Sequence, residues 1–323
     1  MRSKRFRKRA TLRIRPTAPF HFDGTFHKSS HFPAPLGVWE PGRRWQTLRI
    51  GECLYAVKIE DRGTVAEPEL RVSIYSDRQV AAPERESIRR ELVWRFDLDA
   101  DLIEFARRAR GDRRFRAVFH RWRGARDSNF NTLYELLVIA LLLQNATVRR
   151  TLQMMNTLLD AFGTRISFDS KSMYAMWRPE DLSKVSEDDL RALKIGYRAR
   201  FLKRLSDDFA RGTVNELELR ALDGVTARKA LLKLFGVGPE TASILLYPAC
   251  HRYAPLNHIA PWQQKIYSRL FYDKALVPTG TILNDFNQRY GEYACLAIGY
   301  LWEDLFWSHR RKSIPWLAKE IRL

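Results

Sequence analysis

The sequence predicts an α+β chain in which an antiparallel β-sheet region comes first and a helical region follows. Between Thr11 and Phe96, segments such as WQTLRI, CLYAVKIE and ELRVSIYS alternate apolar and polar residues between Gly, Pro and Asp clusters. Strands with one buried face show this alternation. After Phe96, apolar residues recur at helical spacing to the C-terminus, so the remainder is expected to be all helical.

Charge is the strongest compositional signal. The 323 residues include 56 Lys and Arg against 37 Asp and Glu, a formal net charge of +19. Such a field concentrates polyanions, which makes nucleic acid the first expectation for a partner and an anionic membrane surface the second. Eight of the first fifteen residues are Lys or Arg, which predicts a solvated arm that contacts phosphates.

Several classes of protein are disfavoured. The longest apolar run, Leu136 to Leu143, is far too short to span a membrane, and the N-terminus has no apolar signal-peptide core. We therefore expect a cytoplasmic, nucleoid-associated monomer. Cys53, Cys250 and Cys295 are scattered, without the spacing of a disulfide framework or of a zinc or iron–sulfur site, so no metal or other cofactor is expected.

Four later segments organise the helical region. Ser128–Gly163 reads as two helices around a polar break at Gln144 to Thr147, and Ser186–Gly212 as a capped helix, a Gly196 turn and a basic helix. The third, Thr226–Ala249, reads as a helix, a tight glycine turn and a second helix. In the fourth, His258–Phe271, Pro261 suits the first turn of a helix and Ala260 falls at its cap.

The glycine turn in LKLFGVGPETA is the most informative of these features. Gly236 and Gly238 flank Val237 directly ahead of a helix, whose first N–H groups are free and whose dipole is positive there. Without a Cβ on either glycine, a phosphate can approach the backbone closely. The same sequence also fits a simple cap between two helices.

The order QNAT, LKIGYRARFLKRL, LKLFGVGPETA and then HIAPWQQKIYSRLF resembles the helix-hairpin-helix DNA glycosylase superfamily, from about Phe130 to Leu301. The β-rich segment ahead of it resembles the 3-methyladenine DNA glycosylase II and 8-oxoguanine glycosylase branches rather than endonuclease III. The resemblance implies a basic arm and sheet domain over 1–96, a helical domain from 97–127 and 258–323, and a second helical domain over 128–257 that carries the hairpin at 226–249.

The resemblance also implies how DNA is bound: a duplex lies against the hairpin, with Gly236, Val237 and Gly238 at a phosphate, while a base rotates into a pocket between the helical domains. Gln144, Asn145 and Thr147 follow the family's Q-x-x-[ST] pattern, with Asn145 at the intercalating position. These residues also suit helix capping. Tyr197 and Trp262 are candidates for stacking on the base in the pocket, and the alternative for both is an ordinary place in the core. Arg198 and Arg200 are candidates for contact with the flanking DNA, and the alternative for both is a solvated helix face.

The catalytic positions depart from the family pattern. Where the superfamily places an Asp that stabilises the sugar cation, this sequence has Ala260, with Asn257 and His258 the nearest polar residues. A different placement of the alignment gap would put Asn257 close to that Asp position. At the hairpin position where bifunctional members carry a lysine, this sequence has Glu240. A carboxylate cannot form the Schiff base of β-lyase chemistry. Glu240 is a candidate surrogate anion or base, or a first-turn acid that complements the helix dipole.

Three functions remain open from the sequence. The first is a monofunctional glycosylase that flips a damaged or mismatched base of double-stranded DNA and hydrolyses its N-glycosidic bond. The second is a lesion-recognition protein that has lost the chemistry, and the third is a scaffold whose hairpin holds only phosphates. Cleavage of a panel of single-lesion duplexes separates the first from the others, and lesion preference in binding separates the second from the third.

Overall fold

The computed structural model describes residues 2–30, 35–127, 130–253 and 255–320. Its strands are β1 (Arg2–Arg5), β2 (Arg7–Ile14), β3 (Gly37–Glu40), β4 (Arg43–Ile50), β5 (Cys53–Asp61), β6 (Leu70–Ser76), β7 (Thr164–Phe168) and β8 (Lys171–Ala175). Its helices are α1 (Phe22–Phe26), α2 (Ala82–Arg95), α3 (Ile103–Gly111), α4 (Arg116–Arg121), α5 (Leu133–Leu143), α6 (Val148–Phe162), α7 (Pro179–Ser183), α8 (Glu187–Ala192), α9 (Arg198–Ala210), α10 (Glu216–Arg220), α11 (Gly224–Leu232), α12 (Pro239–Cys250), α13 (Pro261–Tyr272), α14 (Thr279–Tyr290), α15 (Ala294–Arg311) and α16 (Pro315–Glu320).

The antiparallel sheet expected near the N-terminus is present. Five strands pair in the order β2-β6-β5-β4-β3, all antiparallel. Apolar side chains from this sheet, including Val57 and Val72, pack against Ile88 and Leu92 of α2. The sequence allowed for limited helix in this region, but the position of this 14-residue helix was not predicted. Its sequence, APERESIRRELVWR, carries so few apolar residues that the helical period is hard to see beside the charges.

The basic N-terminal residues belong to the folded sheets and do not form a separate arm, although the side chains of Arg2–Arg5 are exposed as expected, and their contact with phosphates stays a prediction. Residues Arg2–Arg5 form β1, which pairs in parallel with β7, and Arg7–Ile14 form the edge strand β2. Several of these basic side chains are exposed while the backbone is held in two sheets. An alternation of basic and small residues satisfies a strand as well as it satisfies a free arm, and the charges hid that possibility.

The expectation that everything after Phe96 is helical is also wrong, because β7 and β8 form a hairpin that completes a three-stranded sheet with β1. Ile166, Phe168 and Met173 of this hairpin pack with Phe6 and Trp45 in a small apolar cluster. The hairpin is only five residues a side, shorter than the window over which periodicity separates a strand from a helix.

The helix boundaries expected from the sequence are otherwise confirmed. Thr132 caps α5, and its hydroxyl accepts a hydrogen bond from the backbone N–H of Glu135 at 3.2 Å. Thr147 caps α6 in the same way after the polar break. Gly196 has a left-handed backbone (φ +66°) ahead of α9, and Ala260 and Pro261 begin α13. Threonine caps fix where α5 and α6 begin, and proline at the first helical position fixes the start of α13.

Buried apolar side chains form three large clusters. One lies under the five-stranded sheet, a second is drawn from α5 to α12, and a third joins α3 and α4 to α13, α14 and α15. The third is discontinuous in sequence, combining residues 102–125 with residues 259–300. The domain boundaries expected from the sequence stay a prediction. No helix in the described part of the chain combines the length and apolarity that crossing a bilayer requires.

Candidate active site and nucleic-acid interface

The glycine turn between α11 and α12 is held tightly on one side and is open on the other. Gly236 has φ +86°, and a Cβ there would lie 3.0 Å from Leu141 Cδ2 and 3.1 Å from Phe201 Cδ2. Only glycine fits both the left-handed backbone and that close approach. At Gly238, which caps α12, a Cβ would meet nothing within 4 Å. The open side of the turn is therefore at Gly238.

Backbone donors on the open side come from the start of α12. Pro239 occupies the first helical position, and Gly238 offers no side chain to cap the helix. The first N–H groups of a helix have no intrahelical acceptor, and they lie at the positive end of its dipole. Val237 does not share this role, because its N–H donates to the carbonyl of Leu234 at 3.1 Å and its side chain is buried.

The loop between α5 and α6 lies directly against this turn. Gln144 Nε2 donates to the carbonyl oxygen of Gly236 at 2.7 Å, which joins the two segments. Asn145 is exposed and has a left-handed backbone (φ +50°), and its Nδ2 donates to the hydroxyl of Tyr197 at 3.3 Å. Thr147 caps α6. Gln144 thus holds the loop that carries Asn145 and Thr147 against the glycine turn.

Two residues of the IGYRAR turn lie elsewhere than expected. Tyr197, assigned to the base pocket, lies beside Asn145 with 42% of its surface exposed, and it is not among the residues that line the cavity described below. Arg198, assigned to the DNA flank, is buried, and its guanidinium donates to the carbonyl of Gln144. Arg200 is exposed, with its guanidinium 5.4 Å from the ring centre of Phe235.

Behind the hairpin lies a cavity of about 410 Å³, into which α12, the segment before α13, and α15 all contribute side chains. Glu240, Asn257 and His258, the three candidate catalytic residues, all line it. All three are exposed at its mouth. The fold thus brings these three residues together from two separate segments, the first turn of α12 and the loop ahead of α13.

One wall of the cavity is aromatic. Trp302 and Tyr267 line it with their rings 5.5 Å apart, and Trp302 Nε1 donates to the Tyr267 hydroxyl at 2.6 Å. Burial raises the pKa of Tyr267 well above its usual range, which keeps the hydroxyl neutral. Trp262 does not line the cavity. Its ring lies 5.5 Å from Trp302 and is 45% exposed, so Trp262 covers the outer side of that residue.

A buried polar network fixes another wall. Tyr247 lines the cavity, and its hydroxyl donates to the carboxylate of Asp97. His251 Nδ1 lies 3.2 Å from the other oxygen of that carboxylate, and the His251 ring stacks on Trp94 at 3.9 Å. Asp97 is almost fully buried, so these partners are what make its burial tolerable.

The start of α13 lacks a carboxylate. Ala260 is the cap residue, and its N–H donates to Gln263 Oε1 at 3.0 Å. Glu303 and Asp304, two acids of α15, serve other contacts. Glu303 accepts from the backbone N–H of Ser29 at 2.7 Å, and Asp304 accepts from Trp122 Nε1 at 2.8 Å.

Sequence reasoning missed Asp127, Tyr267 and Trp302 as cavity residues. Asp127, in the loop between α4 and α5, lines the same cavity as Asn257 and His258. Burial raises the pKa of its carboxyl group, an effect that Lys28 opposes. In the sequence it is one Asp in the polar stretch RGARDSNFN, with no periodicity or motif to mark it. Tyr267 and Trp302 looked like ordinary core aromatics of α13 and α15.

Within residues 2–30, 35–127, 130–253 and 255–320, no group of three or more His, Cys, Asp and Glu side chains is arranged to hold a metal ion. Within the same ranges, no lysine or arginine lines the cavity, and its carboxylates are those of Asp127 and Glu240.

Comparison with known proteins relates this geometry to DNA repair enzymes. No protein-family model matches the chain. A DNA-3-methyladenine glycosylase of Bacillus subtilis is 23% identical over 267 residues, covering 81% of this chain and 86% of that protein. A "Probable N-glycosylase/DNA lyase" of Methanothermobacter thermautotrophicus is 26% identical over 273 residues, covering 76% and 80%.

The fold is also similar to that of a solved DNA glycosylase structure. The 3-methyladenine DNA glycosylase of Archaeoglobus fulgidus superposes with a TM-score of 0.71 at 19% identity, covering 94% of this chain and 99% of that one. In sequence and in fold, the chain therefore resembles the helix-hairpin-helix DNA glycosylase superfamily.

Proposed function

We propose that this protein is a monofunctional DNA glycosylase, which flips a damaged base out of the duplex and hydrolyses its N-glycosidic bond without cutting the strand. The observation that carries the proposal is the cavity of about 410 Å³ beside the hairpin, lined by Glu240, Asn257 and His258 and walled by Trp302 and Tyr267. Its size suits one extruded base, which is commonly held by stacking on aromatic rings.

DNA binding follows from the surface in front of the cavity. A backbone phosphate would accept hydrogen bonds from the free N–H groups of Gly238 and the first turn of α12. Asn145 projects from the neighbouring loop, where its side chain can enter the space that the extruded base leaves. Tyr197, bonded to Asn145, would contact the same base step. The net charge of +19 supplies the long-range attraction.

The lining of the cavity favours a base that carries positive charge. Trp302 and Tyr267 offer electron-rich faces, and Asp127 and Glu240 are anionic when ionised. An alkylated purine with a formal positive charge gains from both, while a neutral oxidised purine gains only from stacking. The name of the Bacillus subtilis relative, a DNA-3-methyladenine glycosylase, is consistent with this choice.

The absence of β-lyase activity is part of the proposal. A lyase needs an amine near the sugar carbon to form a Schiff base, and Glu240 occupies the hairpin position where bifunctional members carry lysine. Lys233 and Lys265 are nearest in sequence and do not line the cavity; Lys265 lies 3.5 Å from Glu320. The Methanothermobacter relative is named as a lyase, so strand cleavage must be measured directly.

The test is a panel of duplexes, each carrying one lesion: 7-methylguanine, 3-methyladenine, 8-oxoguanine or uracil. The proposal expects alkali-sensitive abasic sites, formed fastest from the cationic bases, and intact strands before alkali. Strand scission before alkali would contradict the monofunctional assignment. Fastest release of 8-oxoguanine would contradict the charge argument and leave the glycosylase assignment intact.

A second function is favoured by one observation, the alanine at the start of α13 where the superfamily places its carboxylate. In that case the protein recognises lesions and does no chemistry. Absence of release from every duplex of the panel, together with tighter binding to lesion-containing than to undamaged DNA, would establish this alternative. Equal binding to all duplexes would leave only a phosphate-binding scaffold.

A further inference from the structure

We infer that Asp127 is the anionic catalytic residue of the cavity, taking the part that no residue at the start of α13 can play. The inference rests on the proposed function and deepens it. Asp127 comes from the loop ahead of α5, whereas Glu240 comes from α12 and Asn257 and His258 come from the loop ahead of α13, so a different segment of the chain brings this carboxylate to the cavity.

The position of Asp127 is the first argument. Asp127 lines the main cavity together with Asn257 and His258. It also lines a second, small cavity of about 20 Å³ with Lys28 and Glu303. Asp127 therefore stands in the wall between the space proposed for the base and a buried charged group. A carboxylate there faces the flipped nucleotide from inside the protein rather than from the solvent side.

The charge balance behind the wall is the second argument. Lys28 is buried, and its ammonium donates to the carbonyl oxygens of Gly24, at 2.7 Å, and of Arg126. Glu303, also buried, accepts from Ser29 and matches that positive charge. Lys28 acts on both Glu303 and Asp127, and at Asp127 its attraction does not outweigh the cost of burial.

Several charged groups act on the carboxyl group of Asp127. Burial raises the pKa of its carboxyl group; Lys28 opposes the shift, Asp97 adds to it, His251 opposes it and Glu303 adds to it. A cation in the main cavity would lower the same pKa and stabilise the ionised form. The residue is thus arranged to gain most when positive charge develops beside it.

Glu240 is the competing carboxylate, and its environment is different. It lies in the first turn of α12 and is exposed, so water screens its attraction for a cation. Asp127 is half-buried and acts through a medium of lower dielectric constant. For an equal distance to the sugar, the less solvated carboxylate stabilises the cation more.

The step that Asp127 assists can be written with its atoms and electrons balanced. The bond between C1′ of the sugar and the base nitrogen breaks, and its electron pair leaves with the base, which neutralises a cationic base. Positive charge then lies on C1′ and the ring oxygen, next to the Asp127 carboxylate. A water molecule adds its oxygen to C1′, and its proton passes through the carboxylate to solvent.

The experiment compares Asp127→Asn with Glu240→Gln under single-turnover conditions on the preferred lesion duplex, with Asp188→Asn on the exposed face of α8 as the matched control. Asp127→Asn should lower the rate by about 10²-fold or more, the scale of one preorganised electrostatic group. Glu240→Gln should lower it less than tenfold, and Asp188→Asn should leave it unchanged. A rate for Asp127→Asn within threefold of the unaltered protein would overturn the inference. Thermal melting checks that each variant is folded.

A binding measurement decides the same question without turnover. Duplexes carrying a cationic pyrrolidine in place of the sugar mimic the charged intermediate, and those carrying a neutral tetrahydrofuran mimic only its shape. The unaltered protein should prefer the cationic analogue, and Asp127→Asn should lose at least tenfold of that preference while binding the neutral analogue equally well. If no lesion is cleaved, the proposed function fails, and this ratio still tests Asp127. An equal preference in both proteins would refute its role.

Discussion

The glycine turn offers a matched pair of substitutions, because Gly236 and Gly238 lie two residues apart in opposite environments. At Gly236 an added methyl group would approach Leu141 and Phe201 to about 3 Å, in a backbone with φ +86°. The left-handed backbone costs about 1 to 2 kcal/mol for a residue with a Cβ, and overpacking adds about 1 to 3 kcal/mol. Gly236→Ala should therefore destabilise the fold by about 2 to 5 kcal/mol.

Gly238→Ala should leave stability nearly unchanged and weaken DNA binding. Its φ of −89° is ordinary for alanine, and the methyl group would point into open space. Loss of glycine from a helix cap costs at most about 1 kcal/mol. The methyl group would, however, occupy the place proposed for a phosphate, so duplex affinity should fall about tenfold or more.

The assay is thermal melting of both variants beside a fluorescence titration with an undamaged duplex. A shift of about 2 °C per kcal/mol gives a fall of about 4 to 10 °C for Gly236→Ala and of about 2 °C or less for Gly238→Ala. The reasoning is refuted if Gly238→Ala binds DNA as tightly as the unaltered protein. The turn would then be only a connection between two helices.

Three further outcomes are expected. Glycine suits the left-handed backbone at Asn145, so Asn145→Gly should leave binding to an undamaged duplex nearly intact while slowing base extrusion. The fluorescence of a 2-aminopurine beside the lesion reports extrusion, and an unaltered signal would assign Asn145 to helix capping. Borohydride should trap no covalent adduct with DNA, and an adduct that disappears on substituting Lys233 or Lys265 would identify a lyase. If about six phosphates are contacted, affinity should fall with the logarithm of salt at a slope near about −5, and a slope shallower than about −2 would remove the argument from charge.

Helices were predictable from the sequence where a cap or a first-turn proline coincided with apolar spacing, as at Thr147 and Pro261. Prediction failed where charge hid the pattern, as in β1 and α2, and where an element was too short to show a period, as in the β7–β8 hairpin. These elements are held by partners distant in the chain, and local sequence carries no record of such pairing.

The candidate site was also predictable only in part. Glu240, Asn257 and His258 could be selected because they lie at or next to motif positions, and the structure places all three around one cavity. Arg198 looked like its basic neighbours, but the fold turns it inward to the carbonyl of Gln144. Asp127 enters the cavity through packing of a loop between clusters, which no local pattern encodes.

The parallel pairing of β1 with β7 has a consequence for the nascent chain. Arg2 lies opposite Thr164, so the first strand is synthesised long before its partner exists. At about 5 to 20 residues per second, the ribosome needs about 10 to 30 s to reach β7. During that interval the strand edge of Arg2–Arg5 is open, and its cationic side chains disfavour pairing with the same strand of another copy. The charges at this end of the chain would thus protect a strand that must wait for its partner.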